Sequence, residues 1–315
     1  MTRILIIKLS ALGDFIQASG AMEAIARAHP DARLTLLTTP PFEGMARAMG
    51  WFDEVWTDGR PAWTDLPAVG GLIGRLRGAG FDRVYDLQGQ SRTDRYFQLL
   101  RPNPPQWCGT AWGAAFRHLQ PVRQHRHIQD VLAEQLALAG VRDIPRPHLS
   151  WLQGDAARFA LPAPYALIAP GGAAHRPGKR WPDVAFGEIA RRLAAVGITP
   201  VVLGHGAEEQ ALAQEIRGAE PAAVSLVGRT SFADIASLAR GARLALGNDT
   251  GPMQVAAAAG APSLVLFSAD SDPAMSAPRP SRDGQVVETL QVDDLMLLSP
   301  AEVAERLRAA LGLDL

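Results

Sequence analysis

The chain has 315 residues, 47% of them apolar and 20% charged, which is the composition of an ordinary globular protein with room for two domains. Its 31 Lys and Arg residues balance 32 Asp and Glu residues to a net charge of -1, so we expect no nucleic-acid partner, which would favour a basic excess. The single cysteine, Cys108, excludes an intrachain disulfide and a zinc site of several cysteines.

The sequence contains no apolar run of the roughly 18 residues that a transmembrane helix needs. The apolar run near the N-terminus is too short for a signal peptide, and charged residues follow it. We therefore expect a cytoplasmic protein, and the sequence leaves contact with a membrane surface open.

Short apolar runs that predict strands alternate with amphipathic stretches that predict helices. The predicted strands are Ile4–Ile7, Arg33–Leu37, Arg83–Leu87, Tyr165–Ala169, Pro200–Leu203, Leu244–Leu246 and Ser263–Phe267. The predicted helices are Ala18–Ala28, Asp130–Ala139, Val184–Ala195, Glu208–Ile216, Phe232–Ala239 and Met253–Ala259. Continuous apolar strands that alternate with helices favour an α/β fold with parallel sheets and right-handed crossovers.

The alternating pattern occurs twice, and a proline-rich stretch over residues 143–164 separates the two halves. We therefore predict two Rossmann-like, doubly wound parallel-sheet domains that face a central cleft, one over residues 1–150 and one over residues 151–298. In such domains ligands bind beyond the carboxyl ends of the strands, so the loops at these ends are the candidate sites.

Residues 299–315 begin with a strong signal for a C-terminal helix. Ser299 is a suitable N-cap, Pro300 suits the first helical position, and Glu302 completes a capping box. Whether this helix packs back towards the N-terminal domain is left open.

The first candidate loop, KLSALGD, joins the first strand to the first helix. Gly13 suggests a backbone conformation that other residues avoid. Asp14 has two interpretations, either an N-cap that accepts backbone N–H groups or a general base at the cleft. Lys8 ends an apolar strand, where a buried cation needs a partner such as a phosphate or a carboxylate.

The second candidate loop, APGGAAHRPGKRWP, follows the first strand of the second half. Its small residues, including Gly171 and Gly172, allow backbone amides to approach a ligand closely. Three cations follow: Arg176, Lys179 and Arg180. The loop is therefore suited to a diphosphate, and the alternative is an ordinary solvated loop.

The third candidate loop, LGNDTGPMQVAAAAG, joins a strand to an alanine-rich helix. Pro252 fits the first turn, and the free N–H groups of a helix N-terminus form an anion site. Asp249 could cap the helix or bind a sugar hydroxyl, while the amides of Thr250 and Gly251 could hold phosphate oxygens. Simple helix capping is the alternative.

Three weaker signals remain in the sequence. GHGAEE over residues 204–209 follows a strand, so a carboxylate there could bind ribose hydroxyls. DLQGQSR over residues 86–92 ends a strand of the first half. Asp270 and Asp272 form a DxD that resembles a metal site, although a solvated turn before Pro273 is favoured.

Taken together and in this order, the loops resemble glycosyltransferase family nine, the ADP-heptose:lipopolysaccharide heptosyltransferases. The segments that carry the resemblance are ILIIKLSALGD, YDLQGQSRTD, APGGAAHRPGKRWP, and LGNDTGPMQVAAAAGAP followed by LFSADSDP. The resemblance covers nearly the whole chain. It implies a GT-B fold whose first domain binds the acceptor and whose second domain binds a nucleotide sugar, and it implies inversion at the sugar with no metal and no cofactor.

The resemblance also implies roles for individual residues. On the catalytic side, Asp14 matches the family's general base, and Lys8 would orient it or meet the phosphates. The donor phosphates would lie against Gly171, Gly172, Lys179, Asp249, Thr250 and Gly251. The nucleoside would lie near Glu209, Gly228 and Thr230. The acceptor side would comprise Ser10, Gly13, Gln17, Gln88 and Arg92.

The implied partners are an ADP-heptose-like donor and a glycolipid or oligosaccharide acceptor, with contact at the inner membrane surface left open. The chain differs from the family at Gln17 and Gln254, where histidine is frequent. Because glutamine cannot carry a proton near neutral pH, these two positions leave the sugar and the acceptor undetermined. A nucleotide-sugar epimerase of the same shape and a non-catalytic nucleotide-sugar-binding protein remain as alternatives.

Overall fold

The computed structural model describes residues 1–119, 125–172 and 176–315. It divides into two compact units, Met1–Pro147 and His148–Leu315, and this division lies close to the boundary at residue 150 expected from the sequence. In the part of the chain that the structure describes, no helix combines the length and the apolar character needed to cross a membrane.

The first unit contains a six-stranded parallel sheet. Its strands are β1 (Arg3–Ile7), β2 (Arg33–Thr38), β3 (Glu54–Thr57), β4 (Arg83–Asp86), β5 (Gln106–Gly109) and β6 (Phe116–Arg117). Its helices are α1 (Leu12–Gln17), α2 (Ser19–Ala28), α3 (Glu43–Ala48), α4 (Leu66–Gly78), α5 (Ser91–Leu99) and α6 (Ile128–Leu138).

The second unit contains another six-stranded parallel sheet. Its strands are β7 (Tyr165–Ala169), β8 (Thr199–Val202), β9 (Val224–Ser225), β10 (Leu244–Asn248), β11 (Ser263–Phe267) and β12 (Val287–Gln291). Its helices are α7 (Asp183–Ala195), α8 (Ala207–Ala219), α9 (Phe232–Gly241), α10 (Gly251–Ala258), α11 (Pro273–Ser276) and α12 (Pro300–Leu311).

Both sheets have the same strand order. The first runs β3-β2-β1-β4-β5-β6, and the second runs β9-β8-β7-β10-β11-β12 when it is read in the same sense. This is the doubly wound Rossmann order. The first three strands are added towards one edge of the sheet, and the fourth strand then pairs with the first on its other side, so that the last three are added towards the opposite edge. The structure therefore confirms the predicted α/β class and places one switch point in each unit, at β1/β4 and at β7/β10.

The central strands are apolar because helices cover both faces of each sheet. Residues Ile4–Ile7 of β1 and Leu244–Leu246 of β10 are fully buried. Burial on both faces fixes these strands firmly, and the loops at their carboxyl ends start from a rigid base.

The C-terminal helix α12 begins with the predicted capping box between Ser299 and Glu302. The sequence left its packing partner open. In the structure, Val303, Ala304 and Leu307 belong to the core of the second unit, where α12 contacts α7.

Candidate functional site

The switch point of the first unit brings the β1–α1 loop beside the β4–α5 loop. Lys8 is buried, and its Nζ donates to the backbone oxygen of Leu87 at 3.3 Å. Oε1 of Gln88 accepts from the backbone N–H groups of Leu9 at 2.9 Å and of Ser10 at 3.1 Å. The KLSALGD and DLQGQSR segments are distant in sequence, but these hydrogen bonds join them at the carboxyl ends of β1 and β4.

Asp86, the last residue of β4, is completely buried next to these loops. Its Oδ1 accepts from the backbone N–H groups of Gln88 at 3.0 Å and of Gly89 at 3.1 Å, in a turn where Gly89 has a φ of 55°. Among the described residues, Asp86 Oδ2 and Gln88 Nε2 are buried without a hydrogen-bond partner. Burial raises the pKa of the Asp86 carboxyl to about 6, because it disfavours the charged form.

Asp14 lies in the first turn of α1 and is partly exposed. The N-cap of this helix is Ala11, and no side chain caps it, so the capping interpretation of Asp14 is wrong. The expected special conformation of Gly13 is also wrong, because Gly13 is an ordinary residue of α1. A carboxylate in the first turn is compatible with the helix dipole, and its side chain remains accessible to a substrate.

Two residues predicted for the acceptor side are engaged within the first unit. Gln17 is buried, and its Oε1 accepts from Nε2 of Gln129 on α6. The guanidinium of Arg92 donates to Pro61 O and to the Tyr96 hydroxyl, both at 3.0 Å, and lies 4.8 Å from the ring centroid of Trp63. These contacts give both side chains a structural role within the first unit.

The switch point of the second unit brings the loop after β7 beside the start of α10. Lys179 and Asp249 form an ion pair with 2.9 Å between Nζ and Oδ2, and both side chains are about 12% exposed. Thr250 is the N-cap of α10, yet its side chain makes no capping hydrogen bond. Its Oγ1 is buried without a partner among the residues that the structure describes. Residues 173–175 of the predicted phosphate loop lie outside the described residues.

In the first turn of α10 the N–H groups of Gly251 and Met253 have no partner within the helix, whereas Pro252 has no N–H and the N–H of Gln254 donates to Thr250 O at 3.2 Å. Such an N-terminus with a nearby lysine and an unpaired hydroxyl is suited to an anion. Here the structure brings together the predicted residues Lys179, Asp249, Thr250 and Gly251.

Glu209 lies at the ends of β7 and β8, where glycines make room for it. A Cβ built on Gly171 would lie 1.9 Å from Glu209 Oε1, and one built on Gly204 would lie 2.5 Å from Oε2. The carboxylate accepts from the backbone N–H of His205 at 2.5 Å. The structure thus brings Glu209 beside the predicted phosphate loop.

The other predicted positions of the second unit lie around these elements. Gly228 has a φ of 72°, which favours glycine, and its N–H donates to Gly204 O at 2.9 Å. Gly172 accepts from the Arg180 guanidinium at 2.6 Å through its backbone oxygen. Thr230 is partly exposed just before α9.

Gln254 is buried, and its Nε2 donates to Ser276 O at 2.7 Å, which links α10 to α11. Asp272 caps α11 by accepting from Ala274 N–H at 2.9 Å, as expected of a turn before a proline. Asn248, a fully buried side chain at the end of β10, was not among the predicted site residues. Its position next to Asp249 was the available signal.

The fold and these loops define an α/β protein with the strand order of nucleotide-binding domains and an anion-suited helix N-terminus at one switch point. The profile of glycosyltransferase family 9 (heptosyltransferase) matches residues 69–294. The chain belongs to this family and is therefore a glycosyltransferase of the GT-B type.

Relatives and solved structures agree with this assignment. Lipopolysaccharide heptosyltransferase 1 of Pseudomonas aeruginosa is 27% identical over 290 residues, which cover 84% of this chain and 78% of the relative. The family 9 glycosyl transferase of Veillonella parvula superposes with a TM-score of 0.80 at 20% identity, covering 98% of this chain and 97% of that one. The E. coli heptosyltransferase WaaC with ADP-2-deoxy-2-fluoro heptose gives a TM-score of 0.75 at 20% identity, covering 98% and 99%.

Proposed function

We propose that the protein moves a heptose from an ADP-sugar donor to a hydroxyl of a lipopolysaccharide core or a related glycan, with inversion and without a metal ion. The Pseudomonas relative is a lipopolysaccharide heptosyltransferase, and the E. coli structure contains an ADP-heptose analogue. The observation that carries the proposal is the Lys179–Asp249 pair beside the Thr250 hydroxyl at the start of α10, which has no hydrogen-bond partner among the described residues.

In this proposal the second unit binds the donor. Lys179, the amides of Thr250 and Gly251, and the dipole of α10 stabilise the negative charge that grows on the leaving diphosphate. These groups supply the charge stabilisation that a metal ion gives in other transferases. The backbone of Gly171 and Gly172 lies beside the phosphates in this proposal, while Glu209, Gly228 and Thr230 lie towards the nucleoside.

The first unit supplies the base and the acceptor-binding residues. Asp14 takes the proton from the acceptor hydroxyl as that oxygen attacks the anomeric carbon and the bond to the diphosphate breaks. Lys8, Ser10 and Gln88 order the loop from which α1 starts. Since a lipopolysaccharide acceptor is a glycolipid, the proposal includes a peripheral contact with the inner membrane surface.

The proposal is tested by incubating the protein with ADP-heptose and heptose-deficient lipopolysaccharide, and by measuring ADP release and the mass of the glycolipid. We expect heptose on the glycolipid, with an unchanged rate in EDTA. ADP-heptose that is converted in the absence of acceptor would instead indicate an epimerase. Binding of ADP-heptose without transfer would indicate a non-catalytic binding protein.

A further inference from the structure

Asn248, the last residue of β10, is fully buried, and none of the roles proposed above uses it. Its Nδ2 donates to the backbone oxygens of Pro170 at 2.8 Å and Gly171 at 3.1 Å. Its Oδ1 accepts from the backbone N–H of Trp181 at 3.1 Å. One carboxamide thereby holds both ends of the loop that follows β7.

Other contacts hold the same two ends of this loop. At the far end, Trp181 is buried, its Nε1 donates to Leu298 O at 2.9 Å, and its ring packs edge-on against Phe186 with 4.8 Å between centroids. At the near end, the Arg180 guanidinium donates to Gly172 O at 2.6 Å. Trp181 thus fixes the far end to the core of the second unit, Arg180 links the two ends directly, and Asn248 reaches both ends from β10.

Lys179 lies between these fixed ends, two residues before Trp181. Its Nζ is 2.9 Å from Oδ2 of Asp249, the residue that follows Asn248 in the chain. Asn248 is therefore connected to both sides of the ion pair, through Trp181 N–H on one side and through the chain to Asp249 on the other. Losing its hydrogen bonds would leave the backbone groups of Pro170, Gly171 and Trp181 unpaired and would loosen the position of Lys179.

We propose that Asn248 is a positioning residue, which holds Lys179 opposite the N-terminus of α10 and thereby prepares the loop for a diphosphate. This inference rests on the proposed ADP-sugar donor. It differs from a purely structural role, because it predicts that binding of the phosphates depends on Asn248 and that binding of the nucleoside does not.

The test measures binding of ADP and of adenosine to the full-length protein by calorimetry, for the wild type, Asn248→Asp and Asn248→Ala. Asn248→Asp keeps the oxygen that faces Trp181, loses the donors to Pro170 and Gly171, and adds a carboxyl group that can repel phosphates. Asn248→Ala removes all three contacts without adding a charge, so a loss of ADP binding shared by both variants is not an effect of charge. We expect about 10- to 100-fold weaker ADP binding in both variants, with adenosine binding within about twofold of the wild type.

A matched control is Leu307→Ala, which opens a cavity in the core of the same unit far along the sequence from the loop. It should lower the melting temperature and leave ADP binding unchanged.

A double variant with Lys179→Ala completes a double-mutant cycle. Because Asn248 acts through Lys179, Asn248→Asp should cause little further loss of ADP binding in the Lys179→Ala background.

Unchanged ADP affinity in a folded variant would overturn the inference. Equal losses of affinity for ADP and for adenosine would overturn it as well. So would a double variant whose loss of ADP affinity is the product of the two single losses. If Asn248→Asp does not fold, Asn248→Ala is used for these comparisons. A wild-type protein that binds no ADP would instead refute the donor assignment, on which the inference rests.

Discussion

At the scale of single residues, buried polar groups organise both switch points. In the first unit the Gln88 carboxamide fixes the β1–α1 loop, and in the second unit the Asn248 carboxamide fixes the loop after β7. Each side chain belongs to the fourth strand of its unit or to the loop that follows this strand, and each bonds to backbone groups beyond the first strand. In both units a carboxamide therefore orders the loop that follows the first strand.

Asp86 gives a prediction about the pH dependence of stability. Burial raises the pKa of its carboxyl to about 6, whereas the ordinary value is 3.8. At a pH between these two pKa values, Asp86 keeps its proton in the folded protein and loses it in the unfolded chain. Its contribution to the free energy of unfolding therefore falls as the pH rises. Asp86→Asn cannot ionise, and its free energy of unfolding relative to the wild type should rise by about 1–3 kcal/mol between pH 4 and pH 7.

Urea denaturation of both proteins across this range measures the difference. A difference that does not change with pH would show that the pKa of Asp86 is the same in the folded and unfolded states. A difference that shrinks with rising pH would reverse the predicted sign.

Some of the site could be predicted from residues alone. The Asp249–Gly251 turn and a loop with three cations were found from the residues, the family resemblance singled out Lys179 among these cations, and the structure brings Lys179 and the turn together. The position of Asn248 next to Asp249 marked it as a candidate, but its hydrogen-bond partners and those of Gln17 could not be predicted, because they belong to segments that are distant in sequence.

At the scale of elements, the sequence predicted the central strands β1, β2, β4, β7, β8, β10 and β11 and missed β3, β5, β6, β9 and β12. In β3 (EVWT) and β5 (QWCG) an apolar pair lies between polar residues or glycine, which is too short a run to be recognised. The apolar runs of β1, β7 and β11 stand out because both faces of these strands are covered. By contrast, β12 reads VETLQ and is partly exposed along its length, so no apolar run marks it. The short strands β6 and β9, with two residues each, carry too little pattern to be recognised.

Helix α12 provides a prediction at this scale. Leu307 is fully buried in the core of the second unit, whereas Leu297, just before the helix, is 82% exposed. Leu307→Ala should destabilise the protein by about 2–5 kcal/mol, since it leaves a cavity. Leu297→Ala should change stability by less than about 0.5 kcal/mol.

Chemical denaturation of the two leucine variants beside the wild type provides the measurement. If both substitutions had similar small effects, α12 would not be part of the packed core of the second unit. The paired design separates the effect of burial from that of deleting a leucine side chain.

At the scale of the whole molecule, the chain uses one doubly wound topology twice and gives each copy a different chemistry. The repeated alternation of apolar runs and helices made this architecture predictable, because it requires only patterns that are local in sequence. The first unit presents a partly exposed carboxylate at its switch point, and the second presents a cation beside a helix N-terminus. Sugar transfer needs a base for the acceptor and charge stabilisation for the leaving group, and the proposal assigns one task to each unit.

The decisive experiment compares Asp14→Asn with the wild type in heptose transfer from ADP-heptose to heptose-deficient lipopolysaccharide, with ADP affinity measured on the same samples. Because the amide cannot take a proton from the acceptor hydroxyl, we predict a rate about 100- to 10,000-fold lower and an unchanged affinity for ADP. A variant that transfers heptose at the wild-type rate would contradict the assignment of Asp14 as the base and, with it, the division of labour between the two units.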